Sequence, residues 1–102
     1  MPDFVMLTRL SSHAVGAPKE LEALEKKVMT RLRIECPQVD WLFNYALLGP
    51  YDYLDVFRVA DIADAFRVAA IVRSFGHAHT EIWPAEKWGT FKSMIRDLPG
   101  KT

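Results

Sequence analysis

His77, His79, Glu81 and Trp83 alternate through the stretch GHAHTEIW at residues 76–83. On an extended strand successive side chains point to opposite faces, so these four share one face. Two imidazoles and a carboxylate are donor types that suit zinc, iron, nickel or copper. They fall short of a complete ligand set, and the remaining histidine, His13, lies in the loop after the first apolar run, where no spacing ties it to them. The expectation is an interface strand and cavity wall, with no metal and no cofactor. Its histidines bond to carboxylates or to a partner subunit, which makes association respond to pH in the ordinary imidazole range of about 6 to 7.

Asp55 interrupts the apolar run YLDVF. A carboxylate there must be paired, hydrated or protonated, because uncompensated burial of a charge is costly. If Leu54 and Val56 face the helices, then Tyr53, Asp55 and Phe57 face the open side of the sheet, near His79, Glu81 or Arg9. A carboxylate beside an imidazole is an acid/base couple; the same pair can line an interface or a cavity, and that role is the expected one. Tyr51 and Asp52 follow Gly49-Pro50. Structurally, Asp52 braces the turn by bonding nearby amides. Functionally, a hydroxyl and a carboxylate at the mouth of a pocket would fix a small ligand. With Tyr45 and Trp83 from the aromatic strands, the candidate ligand-binding set is Tyr45, Tyr51, Asp52, Asp55, His77, His79, Glu81 and Trp83.

Composition narrows the partners. The chain has 102 residues, half of them hydrophobic, which is enough for one domain spanning 1–102. Thirteen basic and 13 acidic residues cancel, leaving no broad positive field for nucleic acid or anionic membrane. The opening MPDFVMLTRL has no basic leader and no span-length apolar run, so a cytoplasmic location is expected. Cys36 is the only cysteine, precedes Pro37 at a helix end, and reads as a packed thiol. Phosphate-loop, serine-triad and dinucleotide fingerprints do not occur.

The elements that must position these groups follow from periodicity. Phe4–Leu10 reads as a strand. From Pro18, Leu21, Leu24, Val28 and Leu32 recur at helical spacing until Pro37 stops the helix. Val39–Leu48 and Tyr53–Val59 read as strands around a Gly-Pro loop. Asp61 offers an N-cap, with Asp64 in a box-like position, to a helix carrying Ile62, Ala65, Phe66, Ala69 and Val72. His77–Trp83 is the fourth strand, closed by Pro84, and Trp88, Phe91 and Ile95 mark a terminal helix. The order βαββαβ points to a ferredoxin-like α+β fold, an antiparallel sheet with both helices on one face, plus a short C-terminal helix. The second strand is apolar in both registers (Trp41, Phe43 and Tyr45, or Leu42, Asn44 and Ala46). The open sheet face is therefore too apolar for a monomer.

The hairpin LLGPYDYLDVFRV, the strand HAHTEIWPAEKW with its Thr80-Glu81 pair, and the opening FVMLTRL ending in Leu7-Thr8 together resemble the GYD domain family, named for its Gly-x-Tyr-Asp hairpin. The resemblance runs from about Phe4 to Ile95. It implies a fold similar to the dimeric α/β-barrel proteins and a family largely without assigned activity. It implies no ligand at His79, and Cys36-Pro37 stands where the family has a Gly-rich helix end. The combined expectation is a homo-oligomer, a dimer or larger, holding a small, partly apolar molecule between sheet and helices or between subunits. The alternative is a small enzyme of the dimeric α/β-barrel type, monooxygenase-like or isomerase-like, using Asp55, His79 and Tyr51.

Overall fold

In the computed structural model, which describes residues 1–12 and 16–100, the chain runs β1 (Asp3–Leu10), α1 (Glu20–Glu35), β2 (Asp40–Ala46), β3 (Tyr53–Arg58), α2 (Ile62–Ser74), β4 (Ala78–Ala85) and α3 (Trp88–Arg96). His13 lies outside the described residues. The strands form one antiparallel sheet in the order β2-β3-β1-β4. This is the ferredoxin-like βαββαβ arrangement with an added terminal helix.

Alternation along β1 decides which face is the core. Phe4, Met6 and Thr8 are buried, whereas Val5 and Leu7 are half-buried and Arg9 is exposed. The buried side gathers Phe4, Met6 and Phe57 from the sheet with Leu32 of α1 and Val68 and Val72 of α2. Phe57 is fully buried, its ring stacked on Phe4 at 5.5 Å and tilted against Trp41 at 5.1 Å. Aromatic contacts of this kind add to area burial.

That packing reverses the expected face of β3. Phe57 stands opposite Phe4, Asp55 opposite Met6 and Tyr53 opposite Thr8, so Tyr53, Asp55 and Phe57 face the helices, and Leu54 and Val56 face the open side. Both faces of this strand are apolar in the sequence; the stack on Phe4 is what selects one. In β2 the choice between registers dissolves, because a bulge lies between Trp41 and Phe43. An extra residue in one strand moves the following side chains to the other face. Trp41 thus joins Phe57 in the core, while Phe43 and Tyr45 pair with Val56 and Leu54 on the open face.

The second half differs from expectation in three places. β4 begins at Ala78, leaving His77 outside it, and runs through Pro84 instead of ending there. Proline is tolerated because β4 is an edge strand. In α2, Val68 is buried, while Ile62 and Phe66 are 58% and 71% exposed. Asp61 caps the helix through the amide of Ala63, but Asp64 bonds to Gln38 and Arg67, so no reciprocal box forms. Just past the end of α2 the chain turns at Gly76, whose φ of 76° suits glycine. Arg73 then donates to the carbonyl of Thr80 at 3.1 Å, tying the helix to β4. Cys36 is buried, and burial pushes its thiol pKa up, as befits a packed group.

Candidate functional site

α1 buries only Leu32, near its C-terminal end. Leu21, Leu24, Val28 and Met29 are half-buried and roof a cleft of about 510 Å³ over Met6, Thr8, Trp41, Tyr53 and Asp55. The cleft is apolar apart from a few groups. Asp55 is the principal one: it accepts no hydrogen bond from any described residue. Burial, and secondarily the negative charge of Glu25 on α1, pushes its carboxyl pKa up to about 6. Burial also raises the phenol of Tyr53, with Asp52 and Glu25 adding to the effect. Trp41 contributes an indole N–H that is buried without a partner among the described residues. An unsatisfied donor and an unpaired carboxyl in one largely apolar cleft leave hydrogen-bonding capacity for a guest.

A second cluster occupies the opposite face. Tyr51 donates its hydroxyl hydrogen to Glu81, and His79 Nε2 lies 3.9 Å from the same carboxylate. The guanidinium of Arg9 sits 6.0 Å from the centroid of the Tyr51 ring. The bond to Glu81 raises the Tyr51 phenol above its ordinary range, because ionisation would set two negative charges together.

The expected site therefore divides. Asp55 and His77 border the cleft, with Tyr45 at its edge. Tyr51, His79, Glu81 and Trp83 belong to the open face. The coupling of Asp55 to His79 or Glu81 does not form, because the sheet stands between them. Nor do the two histidines share a face: His77 precedes the strand, with its Nδ1 2.8 Å from the carbonyl of Phe75 and its ring edge-on to Phe75. Among the described residues no three His, Cys, Asp or Glu side chains converge as a metal site.

Asp52 is a brace, reaching farther than its own turn. Its carboxylate accepts from the amide of Leu10 at 2.8 Å, and its own amide donates to the carbonyl of Thr8 at 2.8 Å. Thr8 in turn meets Thr80 at 3.3 Å on the buried face. The Leu-Thr, Gly-x-Tyr-Asp and Thr-Glu segments thus form one bonded unit across β1, the hairpin and β4. The family model of the GYD domain matches residues 4–95.

This chain belongs to the GYD domain family.

No curated protein matches it. In this GYD domain the family segments hold the sheet together, and the cleft residues lie beside them. Glu25 and Tyr53 were not among the candidates. The signal for Glu25 was its place in the α1 stripe, four residues after Leu21 and three before Val28. Tyr53 shares the face of Asp55 two residues away, a relation any strand imposes.

Proposed function

We propose that this GYD domain is a cytoplasmic homo-oligomer, a dimer or larger, that binds a small, partly apolar molecule in the cleft between α1 and the sheet. Asp55 carries the reading. A largely buried carboxyl without a hydrogen-bond partner among the described residues disfavours folding, and a guest offering a hydroxyl or amine hydrogen would offset that cost. The volume of about 510 Å³ falls within the range of small-molecule sites, about 300 to 1,000 Å³. Leu21, Leu24, Val28 and Met6 supply apolar walls, which favour a planar or aliphatic body over a sugar or phosphate. Among the described residues no helix is long and apolar enough to cross a membrane. Pairing of copies draws support from the other sheet face, where Phe43 and Tyr45 are each 58% exposed and Trp83 50%.

One observation favours a second reading, an enzyme of the dimeric α/β-barrel type, monooxygenase-like or isomerase-like. A carboxyl with a pKa of about 6 is matched to accepting a proton near neutral pH. Tyr51 and His79 have no part in that chemistry, being on the other face; Tyr53 and Asn44 flank Asp55 instead. Substrate-dependent proton uptake lost in Asp55→Asn would favour it.

Fluorescence titration with 2-naphthol, a planar phenol with one donor, tests the binding reading. Saturable binding at one site per chain is expected, weakened about tenfold or more when Val28→Trp fills the cleft. An isotherm unchanged in Val28→Trp, or no saturable binding by the parent, would overturn it.

A further inference from the structure

α3 has an apolar side and, among the described residues, nothing in its own chain to lay it against. Trp88, Phe91, Met94 and Ile95, with Leu98 just beyond, are 42% to 67% exposed. None of the nine residues of the helix is buried, and no extended contact joins it to a strand or another helix. The rings of Trp88 and Phe91 lie tilted against each other, with centroids 5.5 Å apart. A helix this short is marginal in water unless it packs against something. The fold is correspondingly drawn out, with a long axis of 57 Å and a radius of gyration of 16.2 Å, against about 13 Å for a compact chain of this length.

The same chain carries a second unpartnered surface, the open sheet face with Phe43, Tyr45, Leu54 and Val56. The arm starts beside it: Glu86 and Lys87, just before α3, border a shallow groove with Phe43, Val56 and Arg58.

We propose that α3 is an exchanged arm: in a dimer of this chain, the Trp88, Phe91 and Ile95 side of each α3 packs on the open sheet face of the other copy, over Phe43, Tyr45 and Val56. The inference rests on the pairing of copies proposed above and assigns the segment that makes it. A two-fold axis gives each copy one donated arm and one received arm, so the contact closes at two. The exposed apolar side chains of one arm present roughly 500 Å², and the sheet face a similar area. Two reciprocal contacts then bury about 1,500 to 2,000 Å², the size of a stable specific interface. A single unrelated helix on the sheet would leave α3 still uncovered; a second copy covers both surfaces at once.

Sedimentation of the full chain at micromolar concentration, with variants, tests this. The parent should be a dimer and Phe91→Glu a monomer whose 2-naphthol binding and circular dichroism from the sheet persist, since α3 supports neither. Mixing Val56→Cys with Met94→Cys under mild oxidation should give a disulfide-linked dimer of the two variants; Cys36 is buried and stays out of the exchange. A monomeric parent would overturn both the pairing and the arm. A dimer that survives Phe91→Glu would overturn the arm alone. So would Met94→Cys linking only to itself, the mark of helix-to-helix pairing, or the absence of any mixed dimer.

Discussion

Tyr51 in the hairpin donates its hydroxyl hydrogen to Glu81 on the edge strand, and it does so on the sheet face opposite to Asp55. The two polar centres of the molecule are thus separated by the sheet. Tyr51 and Glu81 fasten the Gly-x-Tyr-Asp loop across the end of β1, while Asp55 looks into the cleft beneath α1. Residues that stand only two to four apart in sequence, Tyr51, Tyr53 and Asp55, therefore serve different surfaces.

The bond from Tyr51 to Glu81 predicts a titration. The carboxylate holds the phenol above its ordinary range, the first cause being the hydrogen bond and a lesser one the charge. Neutralising Glu81 by Glu81→Gln should let one tyrosine ionise at lower pH, seen as phenolate absorbance in a titration over about pH 9 to 12. Superimposable curves for parent and variant would show that the bond does not persist in solution.

Asp55 predicts a pH dependence of stability. Its carboxyl pKa rises from 3.8 to about 6 on folding, so between those values the folded state binds more protons than the unfolded state. Stability contributed by the protonated carboxyl is then complete below about pH 4, is lost as pH rises to about 6, and stays lost above, a change on the order of 2 to 3 kcal/mol at most. Asp55→Asn removes this window, so the variant should gain on the parent at neutral pH and lose that advantage on acidification. Urea denaturation at pH 4.5 and pH 7.5 measures it; an equal difference between the proteins at both pH values would contradict it.

Asp52 predicts a loss specific to the hairpin. Its carboxylate satisfies the Leu10 amide at the end of β1, so Asp52→Ala leaves that donor unpaired in a partly buried place. The expected cost is about 1 to 2 kcal/mol, with Asp52→Asn, which keeps an acceptor oxygen, losing less. Chemical denaturation of the three proteins checks the order. Equal stability of Ala and Asn variants would mean that water replaces the carboxylate.

The fold was legible because its periods are clean. Leu21 to Leu32 recur at helical spacing, Phe4 to Leu10 is a short apolar run, and the order of strands and helices then leaves one familiar topology. The faces of the sheet were not legible. Tyr53 to Phe57 and Trp41 to Tyr45 are apolar on both sides, so alternation cannot say which side is inward. The stack of Phe57 on Phe4 and the bulge after Trp41 decide it, and both are tertiary. The misplacement of Asp55 followed from that ambiguity alone. His77 is displaced from His79 for a local reason: Gly76, just past α2, takes the left-handed region, and the strand cannot start until the chain has turned.

Native mass spectrometry of the protein purified from its own host most directly tests whether the cleft beneath α1 is a binding site for a small molecule. The expected result is a dimer that retains a noncovalent small-molecule mass, up to one per chain, with that mass absent from a Val28→Trp variant whose circular dichroism matches the parent. A parent that flies as the bare polypeptide, or a retained mass that Val28→Trp leaves in place, would contradict it.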